Sequence, residues 1–224
     1  MKLCRGSFLS ALAVAAVSSS AGAQSVVDVV VSADARVQSG NITATTLEDA
    51  SAPSIRTSMS GGNNVSNGLF EFDLSALSPD TVVTGASLLL RTDNLVANTG
   101  GNPAPFNVFG FTGDGTLDTS DNVGGTLVGS RPDLVGTANN TDFVVDLTAG
   151  VAGINAALND TDANDFFTLR SETISFATFI VDSLESTDAD AVPATLRLTV
   201  VPEPTTAGLL GLGGLALLAR RRRR

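Results

Sequence analysis

Apolar side chains recur at every second position in six stretches of the chain. These are Val27, Val29 and Val31; Phe70, Phe72 and Leu74, with Glu71 and Asp73 between them; Ala86, Leu88 and Leu90; Phe143, Val145 and Leu147; Phe176, Thr178 and Ile180; and Leu196, Leu198 and Val200, with Arg197 and Thr199 between them. A period of two is the strand period, because successive side chains of an extended chain point to opposite faces. Residues 106–111 and 166–169 add shorter strand candidates. Turn chemistry separates the runs: Gly61-Gly62-Asn63-Asn64, Ser78-Pro79-Asp80, Gly113-Asp114-Gly115 and Gly124-Gly125. Roughly eight to ten strands, each with one polar and one apolar face, predict an all-β fold in which two antiparallel sheets pack as a β-sandwich. One stretch departs from the pattern. Leu147, Val151, Ile154 and Leu158 follow helical spacing, which predicts a short helix over residues 148–158 at the sandwich edge, weakened by Gly150 and Gly153.

The two ends read differently from the middle. Residues 1–23 open with Lys2 and Arg5, continue as an apolar run over 8–17, and close on Ala21-Gly22-Ala23. This is the pattern of a secretory signal peptide whose small residues Ala21 and Ala23 flank the cut, giving a mature start at Gln24. Cys4 precedes the apolar run and so is not placed as a lipoprotein cysteine. At the other end, residues 205–219 carry no charge and are dominated by Leu, Gly and Ala. At 1.5 Å per residue such a helix is about 22 Å long, short of the ~30 Å hydrocarbon core, so it predicts a short transmembrane helix held only weakly. Arg220, Arg221, Arg222, Arg223 and Arg224 follow it, a cluster that resists translocation and keeps the C-terminus in the cytoplasm. Pro202 and Pro204 disfavour continued strand or helix, so residues 201–204 are expected to form an extended break between body and anchor. Three segments result: a signal peptide (1–23), a β-sandwich body (24–201) and a tail (202–224).

Charge changes the picture once the ends are set aside. The body keeps six arginines and no lysine against 22 acids, a net charge of −16. Nucleic-acid binding is excluded on that balance, since phosphate contacts need a cationic surface. There is no His in the chain, and its one Cys lies in the signal segment. No disulfide holds the body, and neither a Ser-His-Asp nor a Cys-His nucleophile system nor a His or thiolate zinc site is available to it. A carboxylate pair for glycoside hydrolysis is open by residue type. The chain has no Trp or Tyr to stack on sugar rings, however, and the expectation is a protein that is not an enzyme.

The tail supplies the sharpest signal. Val201, Pro202, Glu203 and Pro204, then the short apolar segment, then the five terminal arginines, resemble in order and spacing the PEP-CTERM sorting signal of Gram-negative bacteria. That resemblance implies an inner-membrane-anchored precursor, recognition and cleavage near the Pro-Glu-Pro motif by an exosortase, and a mature form at the cell surface or in the extracellular matrix. A second resemblance covers the body. The run 69–77, the loop at Pro79 and the run 82–91 are similar to the hairpin of DNRLRE-type secreted domains, themselves similar to carbohydrate-binding modules. Asp146-Leu147-Thr148 followed by Val151 is similar to a "D-v-T-x-x-V" element of that family, and residues 193–200 to its closing strand. This implies a jelly-roll-like sandwich; the family's Trp-rich region has no Trp here.

Acidic loops remain. Asp114, Asp118 and Asp121 lie in one Gly-rich loop, Asp160, Asp162 and Asn164 in a second, and Asp182, Glu185, Asp188 and Asp190 in a third. Oxygen ligands at alternate positions suit Ca²⁺, which takes six to eight of them. Against that, Asp165 stands where a calcium-binding loop of the EF-hand type needs glycine and Ser171 where it needs glutamate, so solvated turn residues are the simpler reading. Arg91 and Arg197 are expected to face outward and pair with acids, while Arg56 and Arg170 are available to hold loop carboxylates. The expected function is that of an exported, non-catalytic cell-envelope or matrix protein associated with surface polysaccharide. The alternative is a carbohydrate-binding module, with Ca²⁺ as its one candidate cofactor.

Overall fold

The computed structural model describes residues 24–39, 46–48, 54–60, 64–78, 81–93, 97–98, 104–132, 134, 137–160, 165–174 and 176–202. Thirteen strands appear among them, in chain order β1 (Ser25–Val30), β2 (Ala33–Ser39), β3 (Thr46–Glu48), β4 (Ser54–Ser60), β5 (Asn64–Asp73), β6 (Thr81–Thr92), β7 (Ala97–Asn98), β8 (Phe106–Thr112), β9 (Thr126–Arg131), β10 (Thr141–Asp146), β11 (Phe166–Glu172), β12 (Ala177–Asp182) and β13 (Thr195–Pro202). One short helix, α1 (Val151–Leu158), follows a 3-10 turn at Thr148–Gly150, as the helical spacing predicts. Every strand pair is antiparallel.

The strands form two layers. One is β1-β13-β6-β10. The other is centred on β5, with β2 and then β3 on one side, and β4 (leading to β12 and β7) and β11 (leading to β8 and β9) on the other. Between described strands of the two layers the ladder connection is the single pair Val181↔Thr92. Their facing side chains share one apolar cluster, with Leu88, Leu90, Phe143, Val145, Leu196 and Leu198 from the first layer and Phe70, Phe72, Phe106, Phe167, Leu169 and Phe179 from the second. Phe106 meets Phe143 across the layers and Phe179 within its own, each edge-to-face at 5.7 Å between ring centroids. That geometry lets a positive ring edge meet a negative ring face.

Helix α1 plugs this core with Ile154, Ala157 and Leu158. Its Asn155 does the work of a strand: Oδ1 accepts from Val83 N and Nδ2 donates to Val83 O, each at 2.9 Å. The contact falls beside the register shift between Thr199 and Val200, where the β6–β13 ladder is interrupted. Asp146 caps the turn before α1, its Oδ1 accepting from Thr148 N (2.8 Å) and Oγ1 (2.6 Å). Those two bonds hold the Asp146 carboxyl below its usual pKa.

Four expectations need correction. Residues 69–91 are not a hairpin. β5 and β6 lie in different layers, and the turn after β5 (Leu77 N to Leu74 O, 2.8 Å) carries the chain across the core. In β12 the inward positions are Ala177, Phe179 and Val181, one residue away from the expected set; Phe176 is 49% exposed. Both parities of Phe-Ala-Thr-Phe-Ile-Val are apolar, so alternation alone does not choose a face there. Glu71, expected on a wet face, is buried. Pro202 does not break the chain but ends β13, paired with Thr81. The neighbouring strand β1 stops at Ser25↔Val200, so from Val201 onward β13 pairs with β6 alone, an edge setting that tolerates a residue without N–H.

Candidate functional site

Three places carry polar or charged chemistry: the C-terminal exit of β13, the acidic loops, both of which the sequence points to, and a polar pocket between β2, β4 and β5. At the exit, Val201 and Pro202 are strand residues, while Glu203, Pro204 and Arg220, Arg221, Arg222, Arg223 and Arg224 lie outside the described residues, as do Ala21 and Ala23 of the signal cleavage site. No described helix is long and apolar enough to cross a membrane, and residues 205–219 are not among those described.

The first acidic loop is a cover. It leaves β8 at Gly113, turns through Gly115 and Gly125, both at positive φ (+86° and +97°), and forms a 3-10 turn at Thr119–Val123 before β9. Asp114 Oδ1 accepts from Thr116 N at 3.0 Å. Asp118 Oδ1 accepts from Ser120 N and Oγ at 2.6 Å each, and Asp121 Oδ2 accepts from Asp118 N at 2.9 Å, closing a capping box. The bonds from Ser120 hold Asp118 below its usual pKa; burial raises Asp121. The loop lies on the outer face of the β5 layer, where the side-chain amides of Asn122 and Asn67 meet at 2.8 Å. Glu71 is trapped beneath it, accepting from Thr168 Oγ1 at 3.3 Å, and burial pushes its pKa up. In the second loop Asp160 is exposed, and Asp162 and Asn164 lie outside the described residues. Among the described residues no group of three acidic side chains is arranged to hold a metal ion.

The third loop, which follows β12, holds two buried carboxylates. Asp182 accepts from Val192 N at 2.8 Å and is raised by burial. Asp34, from β2, accepts from Leu184 N at 2.8 Å through Oδ2, while its buried Oδ1 has no hydrogen-bond partner. Burial first, and the neighbouring Glu185 carboxyl after it, raise Asp34 to about 7.

The arginines divide. Arg91 and Arg197 face outward as expected, each bonded to the acid directly opposite: Arg91 Nε to Asp142 at 2.6 Å, Arg197 Nε and Nη2 to Asp28 at 2.7 and 2.8 Å. Arg170 bonds Glu172 at 2.6 Å and lies 4.5 Å over the Phe109 ring. Arg56 instead joins Arg36 in a polar pocket of about 240 Å³, completed by Gln38, Ser58, Asn64 and Ser66. Arg36 draws no notice in the sequence, because its place depends on cross-strand register rather than on any motif.

The fold and the exit of β13 define a class: an antiparallel β body with one short helix, whose last strand runs directly into a tail of separate composition. Residues 200–224 match the PEP-CTERM protein-sorting motif. The match begins inside β13, so its first three residues, Val200, Val201 and Pro202, belong to the folded body. No curated protein matches the chain in sequence.

Proposed function

We propose that this chain is an exported, non-catalytic protein of the cell surface or extracellular matrix, sorted by its tail through an exosortase and associated with surface polysaccharide. The observation that carries the reading is the sorting motif over residues 200–224, placed at the very end of the body's last strand. Leu196, Leu198 and Val200 of β13 are core residues between β1 and β6, so a cut beyond Pro202 would remove the tail and leave the core whole. The missing histidine and the acidic, lysine-free surface support a soluble, mutually repelling matrix component over an enzyme. The anchor is the short apolar segment over residues 205–219, and the arginine end keeps the precursor's C-terminus in the cytoplasm.

The test is deletion of residues 202–224 with fractionation of the producing cells, alongside the mass of the mature protein. Sorting by the tail predicts that the truncated chain is lost from the surface fraction and that the native mature mass lacks both ends. An unchanged location, or a mature mass retaining the tail, would overturn the reading.

A further inference from the structure

Between β12 and β13 the chain crosses residues 183–194 without strand or helix, as two turns. Ser186 N donates to Ser183 O at 3.3 Å in the first, and Ala191 N to Asp188 O at 3.1 Å in the second. Each turn is tied down by a buried carboxylate. Leu184 N donates to Asp34 Oδ2 and Val192 N to Asp182 Oδ2, both at 2.8 Å, and the two acids are only 1% and 3% exposed. The second turn has a cationic tie as well: Arg91 Nη1 donates to Asp190 O at 2.6 Å, and Arg91 is itself fixed to Asp142 of β10.

The first turn differs in what faces its carboxylate. Asp34 Oδ1 is buried and has no hydrogen-bond partner. The charged group that acts on Asp34 is another acid, Glu185, whose carboxyl lies within hydrogen-bonding reach. Two carboxyls bond each other only through a proton. One proton held between them satisfies Oδ1, removes the like-charge repulsion and leaves Oδ2 to accept from Leu184 N. Without that proton, two negative charges stand together where one of them is buried. The other neighbours do not relieve it: Phe70, opposite Asp34 on β5, carries no charge, and Arg36, two positions along β2, has Glu48 opposite it on β3. Asp34 is fixed in the β2–β5 ladder, whereas Leu184 and Glu185 are exposed, so the turn is the part that can move. Asp182, by contrast, has the Arg91 guanidinium to offset the carboxylates of Asp93 and Asp190.

We propose that residues 183–187 form a pH-operated strap, closed on β2 while one proton is shared between the Asp34 and Glu185 carboxyls and released when that proton is lost, with residues 188–192 staying fixed as its hinge. The sign follows from where Asp34 loses its proton, near 3.8 when solvated and about 7 when the strap is shut. Between those values the closed form carries the extra proton, so the opening constant rises about tenfold per pH unit and levels off above about 7. The strap is held most tightly in acid and least above neutrality.

The test is native-state amide hydrogen exchange of the full-length chain in mild detergent, followed by NMR from pH 5 to 8. Rates are expressed as protection relative to an unstructured chain at the same pH. Leu184 N–H should lose about a hundredfold in protection between pH 5 and 7 and little more above, while Val192 N–H loses less than about tenfold. About 1 M urea should leave Leu184 exchange unchanged, the mark of a local opening, and should accelerate Leu198 N–H in β13, which exchanges through global unfolding. In Asp34→Asn the side chain accepts from Leu184 N and donates to Glu185, so Leu184 protection should stay nearly level across the range. Glu185→Gln, at an exposed position, supplies the donor that Oδ1 lacks and should raise Leu184 protection at pH 8 by about tenfold or more. Level protection of Leu184 in the native chain, or the same fall in Asp34→Asn, would overturn the proposal. So would a loss at Val192 in step with Leu184, or a Leu184 rate that climbs with urea as steeply as that of Leu198, because the whole body would then be opening. None of these outcomes depends on where the protein is sorted, so a failed strap and a failed sorting signal are told apart.

Discussion

Replacing Asp34 with asparagine should stabilise the protein at pH 8 and remove much of its dependence on pH. The unfolded chain releases the Asp34 proton near 3.8, whereas the folded chain holds it to about 7. Between these values the native state carries the extra proton, so stability is greatest below the unfolded pKa, falls as pH rises, and levels off above about 7. A shift of about three units at 1.36 kcal/mol each sets a ceiling of ~4 kcal/mol, and relaxation around the charged form brings the expectation to ~2–4 kcal/mol. Glu71, Asp121 and Asp182 are raised by burial too and add to the same slope. Asp28, Asp118, Asp142 and Asp146 are lowered by their hydrogen bonds and act in the acid range, where their contribution disappears as they protonate. Asparagine at position 34 keeps an acceptor for Leu184 N and gains an N–H for the Glu185 carboxylate without placing a charge in the core. About two of those three units lie between pH 5 and about 7, so ~1.5–2.5 kcal/mol of the Asp34 contribution is lost there; at ~2–4 °C per kcal/mol for a body of this size, the native melting temperature should drop by roughly 3–10 °C between pH 5 and pH 8, and the variant's by distinctly less. Differential scanning calorimetry across that range decides it. A native melting temperature that stays level or climbs toward pH 8, or a variant curve parallel to the native one, would refute the assignment.

Truncating Phe106→Ala removes the ring that touches both Phe143 and Phe179 and should cost ~3–5 kcal/mol in chemical denaturation; a loss under about 1 kcal/mol would mean that the layers do not meet there. In Gly68→Ala the new methyl would stand 2.6 Å from Ile55 Cγ2 and 2.7 Å from Ser171 Oγ, both buried, so ~1–3 kcal/mol should be lost. Full stability in that variant would contradict the placement of β4 and β11 along β5. Asp118→Ala opens the capping box and should cost ~1 kcal/mol, whereas millimolar Ca²⁺ or EDTA should leave the native melting temperature where it is, because the loop carboxylates already accept from their own backbone. A rise with Ca²⁺ that disappears in Asp118→Ala would restore the metal reading.

Much of the fold is legible in the alternation, and the parts that are not share a cause. β13 reads clearly because Leu196, Leu198 and Val200 are separated by Arg197 and Thr199, and the structure buries the first set. Helix α1 reads clearly because its apolar spacing changes period. β4, Ser-Ile-Arg-Thr-Ser-Met-Ser, is nearly silent: its strand state comes from pairing with β5 and β12, not from its own composition. β12 misleads because both of its faces are apolar, and only the partner's register selects one.

The same cause governs the candidate sites. The tail is legible because sorting is read from a linear order of motif, apolar segment and charge, which a sequence displays directly. The pocket is not, because Arg36 and Arg56 are 20 positions apart in the chain and meet only through the ladders of β2, β5 and β4. Glu71 shows what happens when a strand needs two different faces at once. Phe70 and Phe72 must lie in the core, so Glu71 is forced to the opposite side, and there the Gly113 loop closes over it. The strand that buries a carboxylate on its outer face also runs out of large side chains on its inner one. Asp34, directly opposite Phe70, brings a carboxyl onto that same inner face, and burial there is what raises its pKa.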